Sequence, residues 1–144
     1  MIEAQENFNN TWPFNPNFFS GNGFKQHYVD EGKENNKVIL CLHGEPTWGY
    51  IYRHFIKELS KNFRVVVPDL MGFGKSETPK NKEYSLKTHV ENLENLVNYL
   101  ELKNIYFVGQ DWGGPILGAY TLRNLTNTKG CLLYTSDAAD ETCR

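Results

Sequence analysis

Cysteine is scarce and unpatterned in this chain. Cys41, Cys131 and Cys143 form no C-x-x-C pair and no ligand spacing, so no disulfide framework is implied and no metal is expected. Cys41 lies in an apolar run and reads as a small buried hydrophobe; unpaired thiols fit a reducing, cytoplasmic setting. An excess of charge of one sign is lacking too. With 15 Lys and Arg against 17 Asp and Glu the net charge is -2, which argues against a basic face for nucleic acid or an anionic membrane surface. No run approaches the roughly 20 apolar residues of a membrane span. The opening MIEAQENFNN has neither the basic nor the apolar region of a signal peptide. Histidine is missing from the last third: His27, His43, His54 and His89 are all there are.

What is present is a regular alternation. The 144 residues allow at most one domain. Residues 1–23 hold Phe8, Trp12, Phe14, Phe18 and Phe19 among Asn and Pro, an irregular arm whose aromatics need a larger body to pack against. Phe24–Asp30 alternates as a strand and ends at Glu31-Gly32. Val38–Leu42 and Phe63–Val67 read as buried strands, and Tyr50–Leu59 between them carries an apolar helical face. Ser85 is placed to cap a helix bearing Leu86, Val90, Leu93, Val97 and Leu100. Strands alternating with amphipathic helices predict an α/β fold with a mostly parallel, doubly wound sheet. Loops 43–48, 68–77 and 110–114 leave the carboxyl ends of the strands, where ligands bind in such sheets.

The last of these loops carries the chemistry. In Ile105–Tyr120, IYFVGQDWGGPILGAY, a buried strand runs into a tight turn and then a helix. Gly109 and Gly113 flank Asp111 as glycines flank the serine of a G-x-S-x-G nucleophile elbow. The turn pushes one side chain out at a helix N-terminus, where the dipole favours a negative charge. Asp111 is thus a candidate covalent nucleophile, with a helix N-cap as the plainer alternative. Trp112 reads either as a core indole or as an N–H donor facing a developing anion. Backbone N–H groups of the 43–46 loop and of Trp112 could form an oxyanion hole. His43, at a strand-to-loop junction, reads as structural rather than catalytic. Gly72-Phe73-Gly74-Lys75-Ser76 imitates a phosphate loop, but Asp69 stands where the Walker pattern needs glycine. No nucleotide cofactor is expected, and the glycines read as turn formers.

Three segments together resemble one family. HGEPTWGYIYR (43–53), PDLMGFGKSETP (68–79) and VGQDWGGPILG (108–118) are similar to the haloalkane dehalogenases of the α/β-hydrolase superfamily, over roughly Phe24–Gly130. The resemblance implies an α/β-hydrolase fold in which Asp111 attacks a halogen-bearing carbon, giving an alkyl ester and free halide. Trp112 would hold the halide, and the backbone N–H groups of Glu45 and Trp112 would form the oxyanion hole. Partners would be a small apolar halogenated substrate, water and halide. Many relatives carry asparagine at the Glu45 position; a glutamate there resembles the branch whose second halide donor is a cap tryptophan. A glutamate beside a halide would have to be neutral or turned away. Epoxide hydrolase, with the same H-G-x-P loop and aspartate elbow, is the near alternative. A hydrolase-fold binding protein without catalysis is the alternative of another class.

The family's order is nucleophile, acid, histidine, and no histidine follows Asp111. The expectation is therefore an N-terminal half, truncated after the elbow helix and inactive in turnover. Residues 1–23 would be an arm, 24–130 a partial core and 131–144 an artefactual tail. Cys131–Glu141, CLLYTSDAADE, resembles a translated transposon-type sequencing adapter; a genuine strand over 131–135 is the alternative. With strand 105–109 as an unpaired edge, the isolated chain is expected to be insoluble or molten. A sharp cooperative melt of soluble monomer would contradict that. Reading the source DNA past codon 130 tests the tail: a frame that ends at Arg144 removes the fragment reading.

Overall fold

A computed structural model describes residues 1–134. The chain runs β1 (Asn17–Phe19), β2 (Gln26–Glu31), β3 (Val38–Leu42), α1 (Arg53–Leu59), β4 (Arg64–Pro68), α2 (Leu86–Tyr99), β5 (Ile105–Gln110), α3 (Gly113–Arg123) and β6 (Thr128–Tyr134). The sheet order is β1-β2-β4-β3-β5-β6. Strands β4, β3, β5 and β6 are parallel, while β2 pairs antiparallel with both β4 and β1. The connection through α1 places β4 on one side of β3, and the connection through α2 brings β5 to the other. The direction of winding reverses at β3, and a crevice opens beyond the carboxyl ends there.

Alternation along the central strands makes two cores. Val38, Leu40, Leu42 and Val66 face α2 and α3, packing with Val90, Leu93, Val97, Ile116, Leu117 and Tyr120. Ile39, Cys41, Val65 and Val67 face the other way, onto Trp12, Tyr52 and Ile56. Both faces are covered, so these strands read as continuous apolar runs. Burial pushes the Cys41 thiol up to about 12, so it packs as a hydrophobe. Ser85 caps α2 as expected, its Oγ accepting from Thr88 N at 3.3 Å. The helix expected from Tyr50 starts at Arg53 instead, after a 3-10 turn over Gly49–Tyr52. That turn is held by other bonds: Gly49 N donates to Asp69 Oδ1 and the Tyr52 hydroxyl to Leu42 O, both at 2.9 Å.

One expectation is corrected. The chain does not stop pairing after the elbow helix: β6 lies beside β5 from Ile105↔Thr128 to Gln110↔Tyr134, so β5 is not an edge. Cys131, Leu132, Leu133 and Tyr134 are exposed, and the apolar edge is one strand further out. The expected tail at 131–144 overlaps β6 at its start; residues 135–144, including Cys143, lie outside the described residues. Among the described residues no helix is long and apolar enough to cross a membrane.

The N-terminal arm is bound tightly. Trp12 is 1% exposed and its ring centroid lies 4.9 Å from Phe14 and 5.0 Å from Trp48. Lys75, also buried, reaches out of the β4–α2 loop and donates from Nζ to the carbonyls of Ala4 (2.8 Å) and Glu6 (2.7 Å). Burial pulls its ammonium below the usual lysine range, against the opposing pull of Asp69 and Glu6. Lys75→Met keeps the stem but strands two carbonyls, a loss of about 1–3 kcal/mol. Limited proteolysis should then cut within the first dozen or so residues while the sheet stays protected; unchanged protection of the arm would contradict this account.

Candidate active site

Asp111 stands between β5 and α3 with φ +51°, in the left-handed region that costs a non-glycine residue on the order of 1–2 kcal/mol. The elbow is real in backbone terms, and its surroundings show why it needs small neighbours. A Cβ on Gly113 would fall 2.2 Å from Leu42 O, and one on Gly109 would meet Leu117 Cδ1 at 2.8 Å. Gly44 is the third close approach. A side chain there would come within 2.3 Å of Asp111 Oδ1 and 2.5 Å of Trp112 N. The loop after β3 therefore lies directly on the elbow.

Its contacts are specific. Glu45 N donates to Asp111 Oδ1 at 2.9 Å, and Gln110 Oε1 accepts from Gly44 N at 3.3 Å. Asp111 N donates to Tyr134 O at 3.0 Å, so β6 pairs right up to the elbow. The structure brings together all three residues singled out from the sequence: Asp111, Trp112 and the Glu45 backbone. The Trp112 side chain is 46% exposed, so it is not the core indole of the plainer reading. With Glu45 it lines a cavity of about 130 Å³, whose apolar wall is Leu70, Phe73 and Ile116 and whose third side is the start of α2. The Glu45–Pro46 bond is cis.

His43 is a strut. It is fully buried, Leu70 N donates to its Nε2 at 2.9 Å, and its Nδ1 therefore donates to Gly44 O at 3.0 Å. Burial holds it below the ordinary histidine range, more strongly than Asp69 and the Gly44 bond raise it. The neutral ring thus ties the loop after β3 to the loop after β4.

Sequence reasoning passed over the residue that carries most of the scaffold. Asp69 is fully buried and accepts from Gly49 N (2.9 Å), Lys75 N (2.9 Å) and His27 Nδ1 (2.8 Å). Ser76 Oγ accepts from His27 N at 2.9 Å and donates to Asp69 O at 3.0 Å. The signal was present in Pro68-Asp69 directly after a buried strand, but only the fold shows what the carboxylate meets. His89 was missed as well: it lines the cavity from α2, and burial, with His43 nearby, lowers it too.

These two histidines set a pH response. Their folded-state values lie below the unfolded value of about 6.5, so under acid the unfolded chain binds protons that the folded chain refuses. Stability should fall as pH drops through and below that value. Urea midpoints at about pH 7.5 and 5.5 should differ less in His43→Gln than in the parent protein; an unchanged difference would mean that His43 does not contribute.

The sequence profile of the alpha/beta hydrolase fold matches residues 37–141. Haloalkane dehalogenase 2 of Mycobacterium tuberculosis is 38% identical over 122 residues, which are 85% of this chain and 42% of that protein. The chain therefore spans less than half the length of that curated relative. The tetrameric haloalkane dehalogenase of Paraglaciecola agarilytica superposes with a TM-score of 0.79 at 38% identity, over 84% of this chain and 43% of that one. An epoxide hydrolase from Vigna radiata does so with a TM-score of 0.76 at 30% identity, over 83% of this chain and 39% of that one. A six-stranded, mostly parallel sheet with an aspartate elbow at its switch point and a profile match over most of its length place the chain: it belongs to the α/β-hydrolase fold family, as a haloalkane dehalogenase-like member.

Proposed function

We propose that Asp111 is the nucleophile of a dehalogenase reaction on small apolar halogenated substrates. The observation that carries this reading is the Glu45 N–H bond to Asp111 Oδ1 at 2.9 Å. It fixes the carboxylate and leaves Oδ2 as the attacking atom. Oδ2 displaces the halogen from carbon: the O–C bond forms, the C–halogen bond breaks and the halide leaves with its electron pair. The indole N–H of Trp112, in the same cavity wall as Glu45, is the donor proposed for that halide. Oδ1 becomes the ester carbonyl, and the N–H groups of Glu45 and Trp112 are the proposed oxyanion hole for its hydrolysis. The reaction needs no cofactor or metal.

Hydrolysis needs a base to activate water. His43 is committed to Leu70 and Gly44, and no histidine follows Asp111 in these 144 residues. On this reading the chain alkylates once and stops at the ester. The likeness to epoxide hydrolases keeps a second reading open: opening of an epoxide by the same carboxylate, with no leaving halide.

Mass spectrometry separates these. Incubation with 1-chlorobutane should add one butyl group to Asp111 and release one chloride, and 1,2-epoxybutane should add nothing. Asp111→Asn should abolish the adduct, and Trp112→Phe should slow it about a hundredfold, the scale of one lost anion-stabilising donor. An adduct of whole epoxide mass with no butyl adduct would favour the epoxide hydrolase. No adduct from either, with ligand still bound, would favour a binding protein.

A further inference from the structure

The loop after β3 meets Asp111 at a residue that has no side chain of its own to anchor it. A Cβ on Gly44 would collide with Asp111 Oδ1 and Trp112 N, so the loop has to be held there through its backbone. On the carbonyl side, Gly44 O accepts from His43 Nδ1 at 3.0 Å, from Thr47 Oγ1 at 2.9 Å and from Thr47 N at 3.1 Å. These donors belong to the same loop and move with it. The N–H side is different. Gly44 is buried, and among the described residues the acceptor for its N–H is Gln110 Oε1, at 3.3 Å.

That bond stands where the sheet's own pairing has run out. The register of β3 with β5 ends at Leu42↔Gly109. Further on, the backbone of β5 enters the elbow, and Asp111 N turns to Tyr134 O at 3.0 Å. A buried N–H left without an acceptor is costly. Here a side-chain carbonyl, one residue before the nucleophile, takes the place of the missing backbone carbonyl. The oxygen of the amide faces Gly44 rather than its nitrogen, because a backbone N–H can only donate. The Thr47 hydroxyl lies 3.5 Å from the same oxygen, so Oε1 sits against both ends of the Gly44–Thr47 turn. Between those ends, Glu45 delivers its N–H to Asp111 Oδ1 at 2.9 Å.

We infer that Gln110 is a positioning residue for the nucleophile: its side-chain carbonyl holds the Gly44 N–H, and through it keeps the Glu45 N–H on Asp111 Oδ1. This rests on the dehalogenase reading only for what Asp111 does; how the carboxylate is held stands on the hydrogen bonds. Gln110 does not line the cavity, so it acts on how fast a bound substrate reacts and not on how tightly it binds. Reach and chemistry both select this side chain. Asparagine is one methylene shorter, and leucine has no acceptor at all. Glutamate reaches and accepts, so it should hold the loop.

The first measurement involves no halogen. Amide hydrogen exchange of the full chain is followed by NMR in the parent and in Gln110→Leu, Gln110→Asn and Gln110→Glu, with the Leu40 amide in β3 as internal reference. Relative to Leu40, Gly44 should exchange about tenfold faster in Gln110→Leu and Gln110→Asn and at the parent rate in Gln110→Glu. The Glu45 amide proton, which reports its bond to the carboxylate, should move upfield in the first two variants and stay in the third. The second measurement follows labelling of Asp111 against the concentration of 1-chlorobutane. The limiting rate should fall about tenfold in Gln110→Leu, with the half-saturating concentration within about twofold of the parent's; a general loosening of the cavity would move both. Unchanged Gly44 exchange in Gln110→Leu, or faster exchange with the Glu45 amide and the limiting rate both unmoved, overturns the proposal. The expected amide changes in a chain that never labels support the positioning of the carboxylate and instead sink Asp111 as the nucleophile of this reaction. If Gln110→Leu does not fold, Gln110→Asn and Gln110→Glu decide, and equal Gly44 exchange in those two overturns the proposal.

Discussion

A single buried carboxylate organises this end of the sheet. Asp69 has no contact with solvent, and its oxygens are taken by the backbone N–H groups of Gly49 and Lys75 and by the His27 ring. A buried acceptor of this kind is tolerable only when it is bonded on all sides, and the bonding is what fixes the loops. Through Gly49 it sets the turn into α1. Through Lys75 it sets the loop that lines the cavity and clasps the N-terminal arm. Through His27 it ties β2 to the end of β4. A Cβ on Gly74 would fall 2.4 Å from the same carboxylate, so the glycine is required by what it covers.

His43 repeats the device on the other side of the crevice. One neutral ring bridges two loops, accepting at one nitrogen and donating at the other. Between them Asp69 and His43 position Leu70 and Gly44, and Gly44 is the residue whose missing side chain lets Glu45 reach Asp111. The elbow supplies the carboxylate, but the loops that orient it are held by Asp69 and His43, neither of which lines the cavity.

Periodicity and turn chemistry made much of this legible. The apolar runs at 38–42 and 105–108, the Ser85 cap and the glycines around Asp111 are local signals, and each became the element it implied, although Tyr106 in the second run is exposed rather than buried. Long-range partners were not legible. Gly72–Ser76 read as a turn imitating a phosphate loop; nothing near it in sequence shows that Lys75 binds the carbonyls of Ala4 and Glu6 or that Ser76 bonds His27. His89 carries no local signal of its place, because the cavity it lines is built from α3 and two loops distant in the chain. Strand β6 was weighed against another origin for its residues, and its pairing with β5 depends on a neighbour that local pattern does not reveal.

The pairing of β3 with β5 has a consequence for synthesis. Ile39 lies beside Tyr106 and Leu42 beside Gly109, so the sheet's central strand waits for a partner made far later. At roughly 5–20 residues per second on the ribosome, the free side of β3 stays open for several seconds after β4 is complete. The loop bearing Gly44 and Glu45 exists for that whole interval without the carboxylate it is shaped to receive. The nascent chain is therefore most exposed to mispairing at the strand on which the mature site converges, and whatever shields β3 cotranslationally governs how much protein reaches the folded state.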